Sequence, residues 1–261
     1  DDVINAVEAG QDIAITGQAG GEAVPGDAVT VNVGGQNYTT TVGPNGAFSV
    51  AVPGSVLAAA GTSTVSASVS HVDAAGNVGS ADTTRDYIVD ATAPALSITL
   101  DTIAGDNIVN ADEAGQSIPP VTGAVSGEFA AGDTVTLTVG DQNYTGAVNA
   151  DGTFSINVPG SQLAANGSVQ AVISHTDAAG NIGSANIAAS YSVDTTAPIV
   201  TISLDTIAGD NMLNAAEAGQ DVAITGQAGG DAAPGDTVTI NVGGQNYTAT
   251  VGQNGAFSVV V

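Results

Sequence analysis

The sequence predicts an all-β chain organised as a linear array of tandem β-sandwich repeats. Three observations predict it. Segments recur about 104 residues apart, each interval holds seven short stretches of strand-type residues, and no convincing helix interrupts them.

The recurrence is plain in particular residues. Asp106-Asn107-Ile108-Val109-Asn110 returns as Asp210-Asn211-Met212-Leu213-Asn214, and the opening Asp1-Asp2-Val3-Ile4-Asn5 matches the same segment. Val89-Asp90-Ala91-Thr92-Ala93-Pro94 returns as Val193-Asp194-Thr195-Thr196-Ala197-Pro198. Ser70-His71-Val72-Asp73-Ala74-Ala75-Gly76-Asn77 returns as Ser174-His175-Thr176-Asp177-Ala178-Ala179-Gly180-Asn181. The repeats are therefore expected at 1–91 without a first strand, at 92–195 complete, and at 196–261 truncated at the C-terminal side. The chain reads as a piece of a longer array.

In the complete repeat the strand candidates, in order, are 95–100, 117–125, 134–139, 143–148, 153–158, 168–174 and 182–193. Thr134-Val135-Thr136-Leu137-Thr138-Val139 alternates polar and apolar residues, as a strand with one buried face should. Gly140-Asp141, Asn149-Ala150-Asp151-Gly152 and Ala178-Ala179-Gly180-Asn181 supply turn chemistry between strands. The stretch 158–165 is the one place for a short helical turn. Seven short strands in about 104 residues, with turns every 8–12 residues, are the pattern of a sandwich.

Composition narrows the function classes. The 261 residues carry 26 Asp plus Glu against one base, Arg85, and two His, for a formal net charge of −25. Such a field repels nucleic acid and anionic membrane surfaces. At 43% apolar residues the chain still holds enough Val, Ile and Ala for small-residue cores. With no cysteine there is neither a disulfide framework nor a thiolate metal site. Small extracellular domains without disulfides take rigidity from another source, commonly a metal. No apolar run approaches the roughly 18 residues of a membrane span.

The acidic residues of the complete repeat fall in loops and the linker. An up-and-down tracing sends Asp101, Asp106, Asp112, Glu113 and Asp194 to one pole and Glu128, Asp133, Asp177 and Asn181 to the other. Stacked repeats would then bring Asp1, Glu8 and Asp90 against Glu128, Asp133, Asp177 and Asn181. At the next junction Asp101, Asp106, Glu113 and Asp194 would face Asp231 and Asp236. So many carboxylates around a short linker require a counter-charge that the chain itself does not supply. Hard oxygen donors favour calcium, which takes six to eight oxygens at about 2.3–2.6 Å. The candidate metal ligands are Asp1, Glu8, Asp73, Asn77, Asp90, Asp101, Asp106, Glu113, Asp177, Asn181, Asp194, Asp205, Asp210 and Glu217.

At these residues the chain resembles the bacterial immunoglobulin-like extender repeats of giant type I-secreted RTX adhesins, of the biofilm-associated and ice-binding type. The matching motifs are Val-Asp-x-Thr-Ala-Pro at Asp90 and Asp194, and Asp-Ala-Ala-Gly-Asn at Asp73 and Asp177. The third is Leu-Asp-Thr-Ile-Ala-Gly-Asp-Asn at Leu100 and Leu204. The resemblance implies tandem immunoglobulin-like Greek-key sandwiches rigidified by calcium. It further implies a structural extender at the cell surface of a Gram-negative bacterium, projecting a distal adhesive region. The expected partners are neighbouring repeats of the same chain, with no nucleic acid, no membrane insertion and a monomeric state.

Plainer readings stand beside these. Asp73 and Asp177 also serve simply to cap a turn whose glycine takes positive φ. Glu128, Asp133, Asp231 and Asp236 read as solvated loop charges as well as ligands, and Asp12, Asp141, Asp151 and Asp221 as solvated turn charges. His71 and His175 recur at one position without an indicated nucleophile, so a packed or capping role is expected, not catalysis. A carbohydrate- or protein-binding module is the alternative function; the absence of Trp and the near-identical loops argue against it.

Overall fold

The computed structural model describes residues 1–61, 63–115 and 120–261. It divides into two units, Asp1–Val193 and Asp194–Val261. The first unit opens with β1 (Val3–Ile4), β2 (Asp12–Gln18), β3 (Ala28–Val33), β4 (Gln36–Thr41), β5 (Ala47–Pro53), helix α1 (Gly54–Ala59), β6 (Thr64–Val72), β7 (Val78–Asp86) and β8 (Ile88–Val89). It continues through β9 (Leu96–Leu100), β10 (Ile108–Asn110), α2 (Ala111–Gly115), β11 (Val121–Gly127), β12 (Thr134–Val139) and β13 (Gln142–Ala147). Then follow β14 (Thr153–Ile156), α3 (Gly160–Ala164), β15 (Ser168–Thr176), β16 (Ile182–Ser190) and β17 (Ser192–Asp194).

The second sandwich has a three-stranded sheet in the order β14-β11-β9 and a four-stranded sheet in the order β13-β12-β15-β16. This is the Greek-key arrangement of an immunoglobulin-like domain. The first sandwich repeats the four-stranded sheet as β4-β3-β6-β7, but its other sheet is only β2 paired with β5. The second unit, by itself, comprises β18 (Val200–Leu204), β19 (Ala223–Gly230), β20 (Thr237–Val242), β21 (Gln245–Thr250) and β22 (Ala256–Val260). Its sheets run β18-β19-β22 and β20-β21.

Alternation decides which face is buried. In β12 Val135, Leu137 and Val139 are wholly inaccessible while Thr134 is exposed, and β3 buries Val29, Val31 and Val33 in the same way. Each sandwich of the first unit holds its own core. One gathers around Val31, Val52 and Leu57, the other around Leu137, Phe154 and Leu163. Phe154 lies over Gly123, whose Cβ, if present, would sit 2.6 Å from the ring and 2.1 Å from the Thr99 carbonyl. Gly17 under Phe48 and Gly226 under Phe257 repeat the device, so ring and glycine form one packing unit per sandwich.

The strands match the sequence reading closely, and 134–139 matches residue for residue. The first residues of the predicted strand 117–125 lie outside the described residues. The stretch 158–165 does form a helical turn, α3, whose Leu163 is buried. A buried hydrogen bond holds it, from the Tyr191 hydroxyl to the Leu163 carbonyl at 2.9 Å; Tyr87 and Leu57 form the same bond at 2.8 Å. Burial pushes both phenols above their ordinary pKa. The predicted strand 182–193 is broken at Tyr191, because that residue turns inward to make this bond.

Candidate metal centre

The loop that follows the leading strand begins alike in the second and third copies, and its Asp and Asn-x-x-Glu hydrogen bonds recur in all three. In the second sandwich the Ile103–Gly105 turn places Ala104 at φ +57 and Asn107 at φ +64, with the Asn107 side chain accepting the Ile103 N–H at 2.8 Å. Asp106 Oδ1 then accepts the Ile108 N–H at 2.9 Å. Asn110 and Glu113 form a reciprocal cap on α2. Asn110 Oδ1 accepts the Glu113 N–H and Glu113 Oε2 accepts the Asn110 N–H, both at 3.0 Å. Asn-x-x-Glu is thus a capping box, which satisfies two otherwise orphaned donors. Asn5 with Glu8 and Asn214 with Glu217 make the same box. Asp1 and Asp210 repeat the Asp106 bond, to Val3 and Met212.

The remaining carboxylates are anchored in the same economical way. Asp101 Oδ2 accepts from the Thr122 hydroxyl at 2.6 Å and Asp205 from Thr225 at 2.7 Å. Asp90 and Asp194 each accept the N–H two residues on, from Thr92 and Thr196. In every one of these loops the hydrogen bonds engage one carboxylate oxygen. The second oxygen of each has no protein donor among the described residues.

Asp177 is different, because both of its oxygens are engaged. Oδ1 accepts the Ala179 and Asn181 N–H groups, each at 2.9 Å, and Oδ2 accepts from the Asn181 side-chain amide at 2.9 Å. Asp73 repeats the turn with Ala75 and Asn77. The Asn181 side-chain amide holds the Asp177 carboxyl below the usual range, with the backbone N–H groups adding to it; Asn77 does the same for Asp73. These carboxyls bind a proton less readily folded than unfolded. Their stabilisation is complete above the ordinary value of 3.8 and is lost as pH falls through the lower folded value. The melting-temperature difference between the parent chain and Asp177→Asn is expected to be level above about pH 5 and to shrink below about pH 4. A difference that grows on acidification would contradict this.

One residue joins the two sandwiches of the first unit. Asn181 is 4% exposed. Its Oδ1 accepts the Ala6 N–H at 2.8 Å and its Nδ2 donates to the Asp90 carbonyl at 2.8 Å, so a turn of the second sandwich grips the linker and the first sandwich's pole. Asp90, Asp177 and Asn181 are therefore brought together. Asp1 and Glu8 stay within their own loop. Glu128 accepts the Ala95 N–H at 2.8 Å, and Asp133 pairs with His175 at 2.9 Å, each inside the second sandwich. His71 pairs likewise with Asp27 at 3.0 Å. Asp27 is held low first by the Val24 N–H and then by His71. Both histidines thus tie a strand end to a loop. Arg85 forms a bidentate pair with Asp2 across the exposed surface. Among the described residues no three His, Cys, Asp or Glu side chains converge as a metal cluster. No helix among them is long and apolar enough to cross a membrane.

Several of these roles were open to detection in the sequence. The capping box is written in Asn5-x-x-Glu8, Asn110-x-x-Glu113 and Asn214-x-x-Glu217. The Asp27 and Asp133 partners of the histidines had no local signal, since each lies over forty residues away.

Paired sheets of this order, repeated along one chain and gripped pole to linker, define a tandem immunoglobulin-like array. No protein-family profile and no curated protein matches the chain. Among solved structures it is similar over its full length to a Ca2+-stabilized adhesin that helps an Antarctic bacterium reach out and bind ice. The identity is 42%, the TM-score 0.87, and the chain spans 63% of that one. It is also similar over its full length to a 1.5-MDa bacterial ice-binding adhesin studied for host cell surface retention. Here identity is 41%, the TM-score 0.72, and 82% of that chain is covered. The chain belongs to the family of immunoglobulin-like repeats of bacterial ice-binding adhesins.

Proposed function

We propose that the chain is a structural extender segment of a secreted, cell-surface bacterial adhesin, stiffened by calcium at the junctions between repeats, with repeats at 1–91, 92–195 and 196–261. The observation that supports this most directly is the Asn181 bridge. A spacer must pass alignment from one domain to the next, and a buried side chain bonded to two backbone groups of its neighbour does so. The role is mechanical and not catalytic, in keeping with histidines that are engaged in structural pairs. Each repeat adds on the order of 40 Å of reach, from strands rising about 3.3 Å per residue plus loops.

The donor chemistry suits calcium. The pole loops present oxygen donors, and outside the Asp73 and Asp177 turns their carboxylates keep one oxygen free of protein hydrogen bonds while the other fixes the loop. The relative that is a Ca2+-stabilized adhesin supports the same ion. Asp90 with Asp177 and Asn181, and Asp1 with Glu8, would hold it at the first junction, with Asp73 and Asn77 as the matching turn of the first repeat. Asp101, Asp106 and Glu113, then Asp194, Asp205, Asp210 and Glu217, are the equivalent ligands further along. Asn side-chain oxygens, backbone carbonyls and water would complete the shell. A bound divalent cation supplies the counter-charge that relieves carboxylate repulsion.

Calcium titration of the metal-free chain tests this. At a hundredfold excess over Kd, each site is expected to add about 2.7 kcal/mol to the stability of the state that binds it. Melting temperature should rise, and solution scattering should become more extended. If EDTA alters neither, the calcium mechanism fails.

A further inference from the structure

One tripeptide recurs on the same strand of every copy. Asn37-Tyr38-Thr39, Asn143-Tyr144-Thr145 and Asn246-Tyr247-Thr248 have the form Asn-x-Thr, the acceptor signal for attachment of a sugar to asparagine. They lie on β4, β13 and β21. β4 and β13 are the outermost strands of their four-stranded sheets, and β21 takes the corresponding register on β20, with Thr248 opposite Thr239 as Thr145 is opposite Thr136. Strand alternation leaves each tyrosine half-buried and puts the Asn and the Thr together on the exposed face.

The three asparagines share one side-chain arrangement. Asn37 Oδ1 accepts from Asn32 Nδ2 at 2.6 Å, Asn143 Oδ1 from the Thr138 hydroxyl at 2.9 Å, and Asn246 Oδ1 from Asn241 Nδ2 at 2.7 Å. Asn32 and Asn241 act as donors here because their own Oδ1 atoms accept the Gly35 and Gly244 N–H groups. The cross-strand bond thus orients each amide by its oxygen, and among the described residues its nitrogen has no acceptor. The main chain is accessible as well. Val42, Val148 and Val251 exchange backbone bonds with the segment before the neighbouring strand, at Gly26–Asp27, Gly132–Asp133 and Gly235–Asp236. By antiparallel alternation, the Asn and Thr of each tripeptide therefore direct their N–H and C=O groups to the sheet edge. A fourth segment of this form, Asn166-Gly167-Ser168, is built the other way: Asn166 is half-buried and its Nδ2 donates to the Gln162 carbonyl at 2.8 Å.

We propose that Asn37, Asn143 and Asn246 are N-glycosylation sites, one per copy, and that Asn166 is not. The co-substrate is a diphosphate-activated sugar, delivered by a glycosyltransferase that reads the extended Asn-x-Thr strand along its free edge, as peptide-binding proteins read strands. Asn Nδ2 attacks the anomeric carbon, the bond from that carbon to the phosphate oxygen breaks, the diphosphate leaves with the bonding pair, and one amide proton passes to the enzyme. The attached sugar has a physical use. β4, β13 and β21 contain no charged residue and no proline, the usual guards against pairing of one sheet edge with another. A sugar on each strand covers that edge without adding charge to a chain already at −25.

The test is peptide mapping by mass spectrometry of the chain recovered from the surface of the bacterium that makes it. Sugar mass is expected on the peptides that carry Asn37, Asn143 and Asn246 and not on the one that carries Asn166. Thr145→Ala should lower occupancy of Asn143 at least tenfold and leave Asn37 and Asn246 occupied, while Thr145→Ser, which keeps the hydroxyl, should retain it. Both substitutions fall on an exposed strand position, and continued modification of the other two sites reports that the variant chain is made and exported. The proposal is overturned by unmodified asparagine at the three sites, by Asn143 occupancy that Thr145→Ala does not change, or by Asn166 occupied as fully as Asn143.

Discussion

Phe154→Ala is expected to remove about 3–5 kcal/mol from the second sandwich. The ring is 1% exposed and fills the space above Gly123, where no side chain can follow it inward. Backbone pairing on both sides fixes β11, between β14 and β9, so the strand cannot collapse into the cavity. The surrounding core is largely Val, Ile, Leu and Ala, and a domain of this size has only about 5–15 kcal/mol in total. Strand-resolved hydrogen exchange gives the measurement. Amides of β11 and β14 that exchange by unfolding of the sandwich should do so at least a hundredfold faster. Phe48 of the first sandwich is only half-buried, so Phe48→Ala should lose less. A loss below about 1 kcal/mol for Phe154→Ala would mean that the ring does not organise the core.

Asn181→Ala should uncouple the first two sandwiches. The substitution strands the Ala6 N–H and the Asp90 carbonyl, each otherwise paired at 2.8 Å. Both bonds are only part-buried and water can reach the freed groups, so each is worth about 0.5–1.5 kcal/mol and the junction should lose roughly 1–3 kcal/mol. Asn77 is the internal control. It makes the same turn with Asp73 but is exposed and bonds nothing beyond that turn, so Asn77→Ala should leave the junction intact. Exchange of the Ala6 amide should rise sharply in the first variant alone, and scattering should report a wider range of angles between the two sandwiches. Equal effects of the two substitutions would remove Asn181 from its joining role.

The proposed calcium and Asn181 would act on the same junction through different chemistry, and the two are separable. The Asn181 bonds to the Ala6 N–H and the Asp90 carbonyl form directly between protein groups. Carboxylate repulsion near the linker depends on metal and weakens with salt. Chelation should therefore loosen the junction without raising Ala6 exchange to the level of Asn181→Ala.

Much of the fold was legible in local pattern. Thr134-Val135-Thr136-Leu137-Thr138-Val139 became β12 because alternation matches the two-residue period of a strand. The recurrence at about 104 residues fixed the kind of domain, since a repeated sequence meets the same local physics each time. The acidic loops and the turn at Asp177–Asn181 were legible for the same reason: they are short-range devices of capping and positive φ.

What tertiary structure alone decided is which partners these devices meet. The sequence of Asn77 and Asn181 is the same turn, yet one is exposed and the other is the buried link between domains. The difference is set by whether a neighbouring sandwich lies against the turn. Local sequence sets the conformation of a segment through short-range sterics and hydrogen bonding. Burial and long-range pairing depend on chain that is distant in sequence, and that is where the joining residue was settled.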